Sequence, residues 1–294
     1  MAKKYKNARR HFVQALYVAL TNGYAAGFAG GRIYTGPLKA YCVPGLNCYS
    51  CPGALFACPV GALQAALSGR GASFPFYVTG FLLAFGALMG RLICGFLCPF
   101  GLVQDLLYKI PFFKKYTRLK GERVLNKLRY VILIVFVLLL PMLAVDVVGQ
   151  GLPWFCKYIC PSGTLFGGIP LLGANDVLRD VAGALFAWKL ALLILLLLLS
   201  LMVYRPFCRY VCPLGAIYGL CNPIALYRYR VDQSACTGCK TCQRACPMHI
   251  PVYRTPNSTA CIRCGICKNA CPRGAIGSTL QRKGQVCAQG DAIK

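Results

Sequence analysis

Apolar residues dominate four stretches of this 294-residue chain, approximately 12–30, 75–93, 130–148 and 182–203. Each approaches the ~20 residues that a helix needs to cross a hydrocarbon core. The third and fourth are nearly continuous Leu, Ile and Val. The second opens on Pro75, which suits a first helical turn. The first is richer in Gly and Ala and carries Thr21 and Asn22. Behind its basic start it also reads as a cleaved signal peptide. The pattern predicts an α-helical membrane protein with four transmembrane helices, its membrane region covering 11–222. Beyond residue 222 the chain turns polar and dense in cysteine. That cysteine-dense tail is predicted to hold a small β/α domain over 230–275, followed by a C-terminal segment at 276–294.

Charge gives the four stretches a direction. Residues 1–10 hold five Lys/Arg, 94–129 hold eight and 205–294 hold thirteen, whereas 32–72 and 150–181 hold three and two. Basic residues accumulate in cytoplasmic loops, so both termini are expected on the cytoplasmic side of a multi-pass inner-membrane protein. The net charge of +26 therefore needs no nucleic acid. It fits a positive-inside bias, aided by anionic lipid headgroups of the bilayer. A mean hydropathy of +0.55 and 57% apolar content exclude a disordered or short disulfide-rich class.

Cysteine then supplies the chemistry: there are 20 of them against two histidines, His11 and His249, which leaves little room for bis-histidine haem. In the tail, Cys236, Cys239, Cys242 and Cys246-Pro247 form C-x2-C-x2-C-x3-C-P, and Cys261, Cys264, Cys267 and Cys271-Pro272 repeat it. This is the pattern of a two-cluster bacterial ferredoxin, in which the fourth cysteine of each run ligates the other cluster. One [4Fe–4S] cluster is expected on Cys236, Cys239, Cys242 and Cys271, and a second on Cys261, Cys264, Cys267 and Cys246. A zinc ribbon uses C-x2-C pairs but has no use for the third closely spaced cysteine.

Twelve cysteines remain, mostly at the edges of the apolar stretches. Cys94–Cys98 and Cys208–Cys212, at the inner edge, share C-x3-C-P-x-G. At the outer edge Cys156–Cys160 repeats that pattern, and Cys58 opens a fourth C-P-x-G after Cys42, Cys48 and Cys51. The membrane region thus reads as a duplication with pseudo-twofold character. Two facing pairs supply the four thiolates of a cube, so Cys94, Cys98, Cys208 and Cys212 are expected to hold an inner cluster. For an outer cluster, Cys156 and Cys160 need two partners. Cys51 and Cys58 are the first choice, Cys48 could replace Cys51, and Cys42 is also available. Buried structural cysteine or zinc is the alternative for the inner set, and disulfides for the outer. The glycine after each C-P is expected to let backbone N–H groups reach the sulfurs. Cys221 and Cys287 fit no pattern and read as free thiols.

From about residue 73 to 275 the chain resembles membrane iron–sulfur proteins of the NapH/NosR type. Cys98-Pro-Phe-Gly-Leu-Val-Gln-Asp105 and Cys212-Pro-Leu-Gly-Ala-Ile-Tyr218 carry the resemblance, together with the two-cluster tail. It implies a quinol dehydrogenase or membrane electron-transfer subunit of an oxidoreductase complex, working with a flavin- or haem-carrying extracytoplasmic subunit. Accessory proteins of copper maturation in cytochrome oxidase share these motifs. The nitrate-reductase type lacks counterparts of the six outer cysteines, a departure that suggests an additional outer cluster.

The expected function is electron transfer across the membrane through [4Fe–4S] clusters, linking a cytoplasmic partner to an extracytoplasmic one. The basic inner surface predicts an acidic ferredoxin, flavodoxin or oxidoreductase as that cytoplasmic partner. The alternatives are a quinone-reactive subunit, with Asp105 receiving a quinol proton, and a redox assembly factor for another metalloenzyme. Asp105 could equally serve only the positive end of the helix that follows Cys98. The apolar segment 54–66 is expected to dip inward and shorten the path between clusters.

Overall fold

The computed structural model describes residues 8–68, 74–111, 114–117, 119, 121–145 and 151–280. Cys287 lies outside them. Among the described residues, two helices are long and apolar enough to cross a membrane, Val124–Leu143 and Ala184–Met202. The first winds as a π-helix over Leu133–Leu139, and residues 146–148 of the expected third span are not among the described residues.

The other two apolar stretches form shorter helices than their composition suggested. The first divides into Ala8–Thr21 and Ala25–Gly30. Thr21 Oγ1 donates to the Tyr17 carbonyl and Asn22 Nδ2 to the Val18 carbonyl, local bonds that compete with the helical ladder. The second helix is Phe76–Met89. It stops at Gly90, whose φ is 51°, a conformation that costs a side-chain-bearing residue dearly.

The four helical stretches each bond near the inner cysteines, and three of them also bond near the outer ones. At the inner layer, Arg10 of the first reaches Asp105, and the Met89 carbonyl of the second accepts from Arg263. Arg129 of the third bonds Thr259, and the Met202 carbonyl of the fourth accepts from Tyr116 N. At the outer layer, the Thr21 carbonyl accepts from Leu55 N, and Tyr77 Oη from Cys42 N. There too Lys189 Nζ donates to the Cys156 carbonyl.

The outer loop reaches the inner motif at Pro44 and Gly45, ahead of the segment 54–66 expected to dip inward. The Tyr218 hydroxyl donates to the Pro44 carbonyl at 3.0 Å. A Cβ on Gly45 would come within 2.4 Å of the Leu97 carbonyl, one residue before Cys98. The outer loop therefore touches the inner motif. Behind it the helix Pro59–Leu67 buries Val60 and Leu63 in the common core.

The tail folds on a two-stranded antiparallel ribbon, with Tyr229–Val231 paired to Ile276–Ser278. Short helices Thr241–Ala245 and Ile266–Ala270 each end on a Cys-Pro. The two halves match in backbone as well as sequence. Three equivalent pairs have positive φ: Gly238 and Arg263, Lys240 and Gly265, His249 and Gly274.

Candidate iron–sulfur sites

Two cavities open in the tail. One is lined by Cys236, Cys239, Cys242 and Cys271. The other is lined by Cys246, Cys261, Cys264 and Cys267. The crossed arrangement follows from the proline after the fourth cysteine, which turns the chain out of its own half. Cys239 is exposed, so the first cavity opens to solvent. Lys240 and Arg273 line it, and Arg244 donates to the Cys239 carbonyl.

The second cavity is fastened to the membrane region. Asn222 Nδ2 donates to the carbonyls of Ser258 and Cys261, while its Oδ1 accepts from Arg91 N. Arg263 donates to the Met89 and Asn222 carbonyls. Gly95, between Cys94 and Cys98, allows the closest approach. Any Cβ there would lie 2.5 Å from the carbonyl oxygen of Ile262, between Cys261 and Cys264.

At the inner layer Cys94, Cys98, Cys208 and Cys212 all lie within reach of one another's charge. Two of them start helices in the same way. Cys98 and Cys212 are N-caps whose Sγ accepts from Gly101 N and Gly215 N, with proline at the first helical position. Helix N-termini favour anions. The Cys208 thiol is drawn down to about 6, first by its hydrogen bond with Cys98 and then, against burial, by Arg205, Gln104 and Arg91. Cys98, the other member of that bond, is driven up.

Two arginines cross between the inner motifs. Arg91 and Arg205 each stand three residues before the first cysteine of their own motif. Arg91 Nη2 donates to the Cys208 carbonyl, and Arg205 Nη1 to the Cys94 carbonyl. Arg91 Nη1 also holds the Thr259 carbonyl of the tail. Arg205 grips Asp105 through Nε and Nη2, and Arg10 adds a 2.9 Å pair to the same carboxylate. Burial pushes the Asp105 carboxyl up, but these guanidinium groups outweigh it and hold it below the usual carboxylate range. Asp105 sits in the second turn of Pro99–Tyr108 and serves two arginines, not the helix end.

At the outer layer the thiols in mutual reach are Cys48, Cys58, Cys156 and Cys160. Burial pushes Cys48 up to about 12, and Cys58 and Cys160 to about 11. Cys51 is in reach of Cys48 but not of the other three; its sulfur accepts from Gly53 N and Ala54 N and lies near Lys39. Cys42 is buried by the second apolar helix, its backbone N–H on Tyr77.

The donor sets fit [4Fe–4S] clusters. Each gathers four thiols, and buried Arg91 Nε, Arg129 Nε and Nη1, and Arg263 Nε lack an acceptor among the described residues. Cluster sulfurs supply acceptors and the cluster supplies the counter-charge. Among the described residues, no three of His, Cys, Asp and Glu are arranged to hold a single ion. A cube takes each thiolate on a different iron, so its ligands need no common point.

Comparison with known proteins agrees. Three families described as 4Fe-4S binding domains match the chain, one over 74–120 and 185–225, the others over 255–277 and 227–248. An uncharacterized protein of Methanocaldococcus jannaschii is 32% identical over 56% of this chain and 62% of its own length. The methylamine utilization ferredoxin-type protein MauN of Paracoccus denitrificans is 29% identical over 64% of this chain and 60% of its own. The ferredoxin-type protein NapH of Escherichia coli is 27% identical over 55% and 49%. The chain is a 4Fe-4S protein similar to the ferredoxin-type proteins NapH and MauN. It spans about three fifths of the length of the first curated relatives it matches. No solved structure matches it.

Within the chain the matched segments hold the inner and tail cysteines. The six outer cysteines fall outside all three. Sequence reading alone overlooked two pairs of residues around the sulfurs. Arg91 and Arg205 share the offset R-x2-C-x3-C-P, and Gln64 and Gln104 share C-P-x-G-x2-Q. Both repeats were present as signals.

Proposed function

We propose that this chain conducts electrons across a membrane between four [4Fe–4S] sites. Cys236, Cys239, Cys242 and Cys271 would hold the first and Cys246, Cys261, Cys264 and Cys267 the second. Cys94, Cys98, Cys208 and Cys212 would hold the third, and Cys48, Cys58, Cys156 and Cys160 the fourth. Bound there, such clusters supply one-electron redox chemistry with little rearrangement of the protein. The observation that carries the reading is contiguity. The Gly95–Ile262 contact joins the second cavity to the inner thiols, and Tyr218 lies within reach of Cys94 on one side and of Cys58 and Cys42 on the other.

The arrangement supports four membrane crossings with both termini on the inner side. Arg10, Asp105 and Arg205 meet in one layer, so the basic N-terminus belongs with the basic loops. The shorter helices suffice because the outer loop enters between them and is covered by protein. Lys240, Arg244 and Arg273 surround the exposed first cavity and suit an acidic soluble carrier steered by charge. An extracytoplasmic redox subunit completes the path at the outer end. Asp105, ion-paired twice, is a poor proton acceptor, and no residue contact favours the quinone reading.

Three measurements test this. The protein in liposomes should pass electrons from an impermeant external donor to a trapped dye; no dye reduction sinks the conduit. Iron content should be about sixteen atoms per chain; about twelve removes the outer cluster and about eight leaves only the tail. Reduction by an acidic carrier should fall steeply with added salt, and a flat salt profile would rule out charge steering.

A further inference from the structure

Gln64 and Gln104 are fully buried. An apolar residue in either place would avoid the cost of burying an amide. Each follows a C-P-x-G cysteine by six residues, and the two make the same three bonds. Gln104 Nε2 donates to Cys208 Sγ at 3.2 Å and to the Phe100 carbonyl, while its Oε1 accepts from Phe207 N at 3.2 Å. Gln64 Nε2 donates to Cys156 Sγ at 3.2 Å and to the Val60 carbonyl, while its Oε1 accepts from Phe155 N at 3.0 Å. In each case the bonded cysteine opens the opposing C-x3-C pair, and the accepted N–H belongs to the residue just before it.

The repeat is selective. The equivalent positions after Cys160 and Cys212 are Phe166 and Tyr218. Each set of four thiols therefore has one amide N–H aimed at one sulfur. The device recurs at the outer layer, beyond the segments the 4Fe-4S families match. The Phe100 and Val60 carbonyls are already within helices, so the i−4 bonds alone do not account for the amides. The cross-pair bonds to sulfur and to the backbone N–H do.

Resting on the cluster reading above, we propose that Gln104 and Gln64 are positioning residues that tune the inner and outer sites separately. Each fixes the backbone ahead of one ligand and lends that ligand's sulfur a hydrogen bond. One-electron reduction adds negative charge to the sulfurs. A donated N–H stabilises that charge and raises the site's reduction potential.

The test is a redox titration of the full chain followed by electron paramagnetic resonance, with iron measured on the same samples. Gln104→Leu removes both cross-pair bonds. Gln104→Glu keeps an acceptor for Phe207 N but loses the N–H to Cys208, which separates sulfur tuning from backbone support. Both should lower the potential of one signal, that of the inner site, at unchanged iron content. Gln64→Leu and Gln64→Glu should lower a different single signal. Full iron with unmoved potentials overturns the inference. So does loss of iron without a shift in what remains, which would make the glutamines assembly residues. About eight irons in the unaltered protein instead overturns the reading beneath it.

Discussion

The inner and outer cysteine layers share a frame and differ in charge. Both set their sulfurs on C-P-x-G turns, and both aim one glutamine across the site. The inner layer adds Arg91 and Arg205, fully buried, with Asp105 neutralising one of them. The outer layer has only Lys189 near Cys48 and Cys160, and Lys39 near Cys48 and Cys51. The repeated part fixes where ligands stand. The unrepeated part sets the field they feel, and buried positive charge favours the more reduced, more negative state. The inner site should therefore have the higher potential of the two.

The largest blow to this contrast should come from Asp105→Ala. It strands Arg205 and Arg10 as buried charges without a carboxylate, which costs about 3–5 kcal/mol. Thermal unfolding in detergent should show a marked loss of stability, and an unchanged midpoint would mean the ion triad is dispensable. Next comes Arg91→Met, which removes charged donors from the Cys208 and Thr259 carbonyls at about 1.5–3 kcal/mol each. It should lower the inner potential and slow transfer from the tail, leaving the outer signal in place. An equal shift of both signals would make the two layers one electrostatic unit.

Gly95→Ala probes the junction. Its new methyl must displace the Ile262 backbone, and overpacking of this kind costs about 1–3 kcal/mol. Stopped-flow reduction should show the tail filling normally while the inner site lags; equal rates would dismiss the contact as a route. The smallest effect is expected from Lys189→Met, which touches only the outer layer through a 3.3 Å bond to the Cys156 carbonyl. A lower outer potential with stability changed by less than about 1 kcal/mol should result, and any movement of the inner signal would contradict the division.

The grouping of the tail cysteines around two cavities was legible because they are local: a cysteine two or three residues from the next needs only a turn to meet it. The pairing of the two inner motifs was legible from their identical spacing. The outer quartet was not. Residues 42–58 carry four cysteines without periodicity, and which of them approach Cys156 and Cys160 depends on a loop path that runs through Pro44 and Gly45 to the inner motif. The lengths of the apolar stretches also misled. Thr21, Asn22 and Gly90 end helices that hydropathy alone extends.

Composition and spacing by themselves determined that this is a helical, basic 4Fe-4S protein with a ferredoxin-type tail, because burial and metal ligation each leave a short-range signature. Tertiary structure decided which thiols of the outer loop meet and where the tail docks. It also decided that Arg91, Arg205, Gln64 and Gln104 reach across to the opposite motif. Those contacts join residues about 90 to 170 positions apart, and only the packed fold brings such distant groups within a hydrogen bond.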